Sequence, residues 1–163
     1  MLETDGIISK EQFEQLLPTQ ERRKKGPYVI MECIQKIPCD PCTASCKVGA
    51  VILPEITDAP QVNYERCVGC TACVGHCPGQ ACFVIDETLS DEQVLITLPY
   101  EMLPFPQIGS SVVLLGRDGR AVGTSKIEKM YEVDKTYVVS VFADKKLLYD
   151  VRAIRIAAEE EEI

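Results

Sequence analysis

The stretch CVGCTACVGHCPGQAC, residues 67–82, constrains this chain more than any other. It spaces its cysteines as Cys67-x2-Cys70-x2-Cys73-x3-Cys77-Pro78. Three thiolates at x2 spacing can wrap three corners of one iron–sulfur cube, whereas a fourth, three residues further on, ligates a second cube in two-cluster proteins. Pro78 turns the chain away after that fourth cysteine, because it fixes φ and cannot continue a helix. A zinc site prefers two separated cysteine pairs around one tetrahedral ion and has no use for the middle thiol. The segment therefore points to iron–sulfur chemistry.

Upstream, IPCDPCTASCKVGA (residues 37–50) is an imperfect copy. Aligning Cys39 with Cys70 matches Cys42 to Cys73 and Cys46 to Cys77 at a constant offset of 31. The match runs on: Gly49-Ala50-Val51 lies over Gln80-Ala81-Cys82, and Val51–Leu53 and Phe83–Ile85 become equivalent apolar strands. An offset shared by ligands and flanking residues is an internal repeat, and it predicts two half-domains about an approximate two-fold axis.

Residues 27–86 resemble a bacterial-type ferredoxin with two 4Fe-4S clusters. The resemblance implies cross-ligation between halves. Cys67, Cys70 and Cys73 would hold one cluster with Cys46 as the fourth ligand. Cys39, Cys42 and Cys77 would hold the other, with its fourth ligand at position 36. This chain departs from the pattern there: Lys36 stands in the ligand position, and Lys47 replaces the proline that follows the remote cysteine. Cys33 offers a repair, closing a wider Cys33-x5-Cys39 loop stiffened by Pro38. The alternative makes Cys33 a buried cysteine ending a strand and leaves a 3Fe-4S cluster. Lys36 cannot substitute, since these cores are held by soft thiolates. Cys82 overlays Val51 and is expected to be a small buried apolar group. His76, the single histidine, is expected at the surface or beside a ligand. Gly69, Gly75 and Gly79 keep the loop compact, and Ile34, Ile37, Val68 and Val74 are the expected apolar wrapping.

Nine cysteines without a visible signal peptide argue for metal chemistry in a reducing cytoplasm rather than a disulfide framework. With 46% hydrophobic and 26% charged residues, the 163-residue chain is expected to fold as a soluble protein, with no apolar run long enough to cross a bilayer. The formal charge is −8, and two clusters would bring it to roughly −12. Such a chain repels nucleic acid and suits a basic patch on a partner protein.

The expected fold class is α+β. Residues 1–26 form an N-terminal helix and basic linker, residues 27–86 the two-cluster domain, residues 87–158 a small all-β barrel or sandwich, and residues 159–163 an acidic tail expected to be disordered. Ser9-x-x-Gln12 is a capping box for a helix ended by Pro18. Arg22–Lys25 is expected to be a solvated basic run, and Tyr28–Glu32 a strand. Val94–Leu98, Val112–Leu115, Arg120–Lys126, Thr136–Phe142 and Leu147–Val151 read as strands, with Asp118-Gly119 a strong hairpin turn and Ala143–Lys146 a weaker one.

A cluster with cysteine on every iron has no open position for substrate, and a single histidine makes histidine-based catalysis improbable. The expectation is electron relay, with no catalytic residue in this chain. The words ECIQKIPCDPC and GAVILPEI resemble the ferredoxin-like small subunits of flavin-dependent amino-acid or amine dehydrogenases, of the proline or opine type. That resemblance implies a hetero-oligomer with an FAD-containing flavoprotein. The other readings are a free ferredoxin shuttle and a protein whose clusters only support its fold.

Overall fold

In the computed structural model, which describes residues 5–157, strands β1 (Tyr28–Met31) and β4 (Cys82–Asp86) pair antiparallel, with Met31 opposite Cys82 and Tyr28 opposite Ile85. Tyr28–Met31 and Cys82–Ile85 read as unbroken apolar runs because both faces are covered. Tyr28, Ile30, Phe83 and Ile85 face the larger core, while Val29, Met31, Cys82 and Val84 face a second core containing Cys67 and Cys73. Side chains alternate across a strand, so one pair of strands serves both layers.

Between β1 and β4 lie two β-α-β units. The first continues through helix α3 (Pro41–Ser45) to β2 (Val51–Ile52), and the second runs from β3 (Gln61–Val62) through α4 (Ala72–His76) to β4. β2 pairs with β3, as β1 pairs with β4. The offset of 31 read from the cysteines holds for both ends of the two helices. It holds for backbone bonds too: Gly49 N–H donates to Cys46 O as Gln80 N–H donates to Cys77 O, and Asn63 N–H donates to Ala50 O as Glu32 N–H donates to Ala81 O. Gly49 and Gln80 both take the left-handed conformation.

β4 continues across the 86/87 boundary into β5 (Gln93–Tyr100), pairing Val84 with Thr97. The sheet then runs through β8 (Thr136–Asp144), β7 (Ala121–Val133), β6 (Ser111–Leu115) and β9 (Ala153–Ile156), giving seven strands in the order β1-β4-β5-β8-β7-β6-β9. β7 pairs with β6 along its first half and with β8 along its second, with an irregularity between Ile127 and Lys129. A register break of this kind sharpens local twist. The sheet curls until β9 lies near β5, around Ile96, Leu98, Leu114, Ile127, Val141 and Ile154.

Helix α1 (Lys10–Leu16) starts at the expected capping box: Ser9 Oγ accepts from Gln12 N–H at 3.2 Å, and Gln12 Oε1 accepts from Ser9 N–H at 2.9 Å. Its Phe13 packs edge-on to Tyr149, with ring centroids 5.5 Å apart, and Tyr149 OH donates to Ile8 O. The helix thus caps the chain's own core.

Two sequence expectations are corrected, and one turn that the sequence reading did not identify is added. Leu147–Val151 is not a strand: Asp144 Oδ1 accepts from Lys146 N–H, a 3-10 turn forms over Lys145–Leu147, and the closing strand is Ala153–Ile156. The hairpin between β7 and β8 turns on Asp134-Lys135, both at positive φ, a pair without the glycine that signals such a turn in sequence. The basic run is only partly solvated. Arg22, in helix α2 (Gln20–Arg23), is 8% exposed, and Arg23 forms a two-pronged ion pair with Glu87. The acidic run at residues 159–162 lies outside the described residues. Among the described residues no helix is long and apolar enough to cross a membrane.

Candidate metal centres

The cysteines gather in two groups, each drawn from both repeats. Cys46, Cys67, Cys70 and Cys73 line one small pocket, partly open to solvent, whose remaining wall includes Val29, Val48, Val51 and Val84. Cys67 and Cys73 are buried and Cys70 is exposed. In the second group burial raises the thiol pKa of both Cys33 and Cys42, and negative charge on Cys77 and Cys39 raises each further. Cys33 and Cys42 thus each lie within electrostatic reach of both Cys39 and Cys77. Lys36 does not join them: its ammonium lies 3.1 Å from Asp58 Oδ1 and faces solvent.

Helix position sets these thiols. Cys42 and Cys73 are the second residues of α3 and α4, and Cys46 and Cys77 are the C-caps that leave them. Ala50 N–H donates to Cys46 Sγ at 3.2 Å, and Ala81 N–H to Cys77 Sγ at 3.4 Å. Amide donors of this kind stabilise thiolates and tune cluster potentials. A hydrogen bond from Cys82 is the main cause that lowers the Cys77 pKa to about 6; burial opposes it, and the amides of Ala81, Gly79 and Gln80 add to it. The bond from Cys82 also lowers Cys73, so Cys82 sits between the two groups with its own pKa driven far up.

The donors fit the chemistry of an iron–sulfur core. The first group sets four thiols among apolar side chains, and a sulfur-directed amide reaches one thiol in each group. Among the described residues no three cysteine, histidine or acidic side chains converge as a single metal ion would require. His76 is exposed, and its Nδ1 pairs with Ala72 O at 2.8 Å within its own helix. Of the expected wrapping residues, Val74 is fully buried and Ile34 packs on the larger core, whereas Val68 and Ile37 are exposed.

Sequence reasoning missed the side chains that brace the ligand loops. Glu32, next to Cys33, accepts from Nη1 and Nη2 of Arg117 at 2.7 Å each and from Arg152 Nε at 2.6 Å. Burial pushes Arg152 down to about 10. Around Cys67, Arg22 bonds Cys67 O, and Gly69 packs against Pro27 at φ +63. A Cβ on Gly69 would stand 2.5 Å from Pro27 Cβ and 2.8 Å from its carbonyl carbon. Gly69→Ala is expected to cost at least about 2 kcal/mol through the left-handed conformation and the overlap. Anaerobic thermal unfolding measures this, and an unchanged midpoint would mean the loop moves aside.

Residues 60–83 match the 4Fe-4S binding domain family, so the chain carries a ferredoxin-type 4Fe-4S binding domain. Over 83 residues it is 37% identical to the aliphatic sulfonate oxidoreductase, polyferredoxin-like subunit, of Pyrococcus furiosus, covering 48% of this chain and 43% of that protein. Over 38 residues it is 45% identical to AegA of Escherichia coli, covering 23% of this chain and 6% of AegA. The matches thus span less than half the length of either relative. No solved structure matches.

Proposed function

We propose that this chain is the electron-transfer subunit of a larger oxidoreductase, relaying single electrons through two 4Fe-4S clusters. Cys33, Cys39, Cys42 and Cys77 hold cluster one, and Cys46, Cys67, Cys70 and Cys73 hold cluster two. The observation that carries the reading is the gathering of eight thiols into two groups, each completed by a cysteine from the opposite repeat. When bound, such clusters supply one-electron exchange. Each thiol would bind one iron, the amides of Ala50 and Ala81 would support the ligand sulfurs, and Val29, Val51 and Val84 restrict water. Exposed Cys70 and Val68 mark the side of cluster two where a partner would approach.

Two observations favour a subunit over a free shuttle. Met102, Leu103, Phe105 and Ile108 stand exposed along one loop, with Phe105 5.8 Å from the Tyr137 ring; a concentration of exposed apolar side chains suits a protein interface. The Pyrococcus relative is itself named as an oxidoreductase subunit. The partner is a flavoprotein dehydrogenase carrying FAD, an assignment that rests on the resemblance of ECIQKIPCDPC and GAVILPEI to the small subunits of that group.

Anaerobic purification from the native host tests both levels. About eight irons and eight sulfides per chain, reducible by dithionite, are expected for the clusters, and co-elution with a flavin absorbance is expected for the complex. A colourless, zinc-loaded chain would end the cluster reading; a brown chain eluting alone would favour the free ferredoxin. Cys82→Ser keeps a donor between Cys73 and Cys77, so its iron content should equal that of wild type. A loss of about four irons would make Cys82 a ligand.

A further inference from the structure

Arg22 is a buried cation whose guanidinium bonds, among the described residues, all go to carbonyl oxygens. Its Nε donates to Tyr64 O at 2.8 Å and its Nη1 to Gly26 O at 3.0 Å. Its Nη2 donates to Pro27 O at 2.9 Å and to Cys67 O at 2.7 Å. The short helix α2 therefore reaches across 45 residues of chain to grip the backbone of a cluster-two cysteine. The same grip holds Pro27, against which Gly69 of the ligand loop packs.

Burying a guanidinium costs several kcal/mol unless something compensates. Four carbonyl dipoles do so here, but dipoles leave the unit charge in place. Arginine does not deprotonate in proteins, so the charge is permanent. Reduction adds one negative charge to a centre held by Cys67, and a fixed cation on that residue's backbone favours the reduced state. Arg23 and Lys25 differ: Arg23 is neutralised by Glu87, and Lys25 pairs with Glu21 at the surface.

We infer that Arg22 is a positioning residue that clamps the Cys67 loop and a permanent positive charge that raises the reduction potential of the cluster held by Cys46, Cys67, Cys70 and Cys73. This deepens the proposed function and rests on its ligand assignment. The clamp needs the several donors of the guanidinium fork, whereas the electrostatic effect needs only the charge, so the two roles separate by substitution.

The test compares wild type with Arg22→Lys and with two neutral replacements, Arg22→Gln and Arg22→Met, all purified anaerobically. Iron content, thermal midpoint and a redox titration followed by electron paramagnetic resonance are recorded for each. All three variants should melt lower, having lost carbonyl bonds. A neutral variant that keeps its iron should show one cluster about tenfold harder to reduce, or 59 mV lower for one electron, with the other cluster unmoved. Lys at position 22 should recover most of that shift without recovering the midpoint. An unshifted potential in an iron-replete neutral variant would overturn the tuning role, as would equal shifts in both clusters or a Lys variant shifted as far as Gln. Loss of iron from both neutral variants would also overturn it, leaving a structural clamp alone. Wild-type protein without about eight irons would instead defeat the ligand assignment on which the inference rests.

Discussion

Glu32→Ala is expected to lower the thermal midpoint by about 6–20 °C. The Glu32 carboxylate is the shared counter-ion of two guanidiniums: Arg117 grips both of its oxygens and Arg152 bonds one of them, and all three side chains are about nine-tenths buried. Removing one partner from such a group leaves uncompensated charge in the interior, at a cost of about 3–5 kcal/mol. For a chain of this size each kcal/mol moves the midpoint by about 2–4 °C. The guanidiniums cannot simply turn outward. Arg152 is stacked between Phe13 and Phe83, with its centre 5.1 Å and 5.0 Å from their rings, and Arg117 lies 4.3 Å over Tyr149. Glu32→Gln keeps the shape and removes the charge, so it should reproduce most of the loss. Anaerobic thermal denaturation of the three proteins checks this; midpoints within about 2 °C of wild type would mean that the ion triad contributes only what a surface pair does.

The second large effect concerns the metal itself. Cys33→Ala is expected to lower bound iron from about eight to about seven per chain and to give an oxidised-state 3Fe-4S resonance signal. The repeat places Lys36 opposite Cys67, yet Lys36 pairs with Asp58 in solvent, while Cys33 lies within electrostatic reach of Cys39 and Cys77. Three thiols remain after the substitution, enough to hold three irons and leave one corner without a ligand. Glu32 strengthens the case, because its ion triad anchors the residue before Cys33 to the hairpin and loop that carry Arg117 and Arg152. Iron analysis and low-temperature spectroscopy of the anaerobic protein decide the matter. An iron content unchanged from wild type would remove Cys33 from the ligand set.

Much of the site was legible in the order of residues because its chemistry is local. Cysteine spacings of two and three residues, the proline after Cys77 and the offset of 31 are properties of short windows. So is the capping box at Ser9, which the structure contains bond for bond. Strand positions were readable where apolar runs were bounded by turn residues, as in Val112–Leu115 before Asp118-Gly119. They failed after Asp144, where one carboxylate oxygen capping a backbone amide outweighs the apolar pattern of Leu147–Val151. The turn at Asp134-Lys135 went unread, because the pairing of β7 with β8 imposes a conformation that neither residue signals.

The bare order of residues pointed to the thiolate chemistry and to the duplicated plan that the structure shows as two β-α-β units. Tertiary structure alone decided which charges brace that plan. Arg117 and Arg152 meet Glu32 across 85 and 120 residues, and Arg22 meets Cys67 across 45. The x2 and x3 spacings lie between near neighbours and leave their mark within a dozen residues. A buried ion pair is a contact between strands that only the closed sheet brings together, and in sequence its members look like any other surface charge.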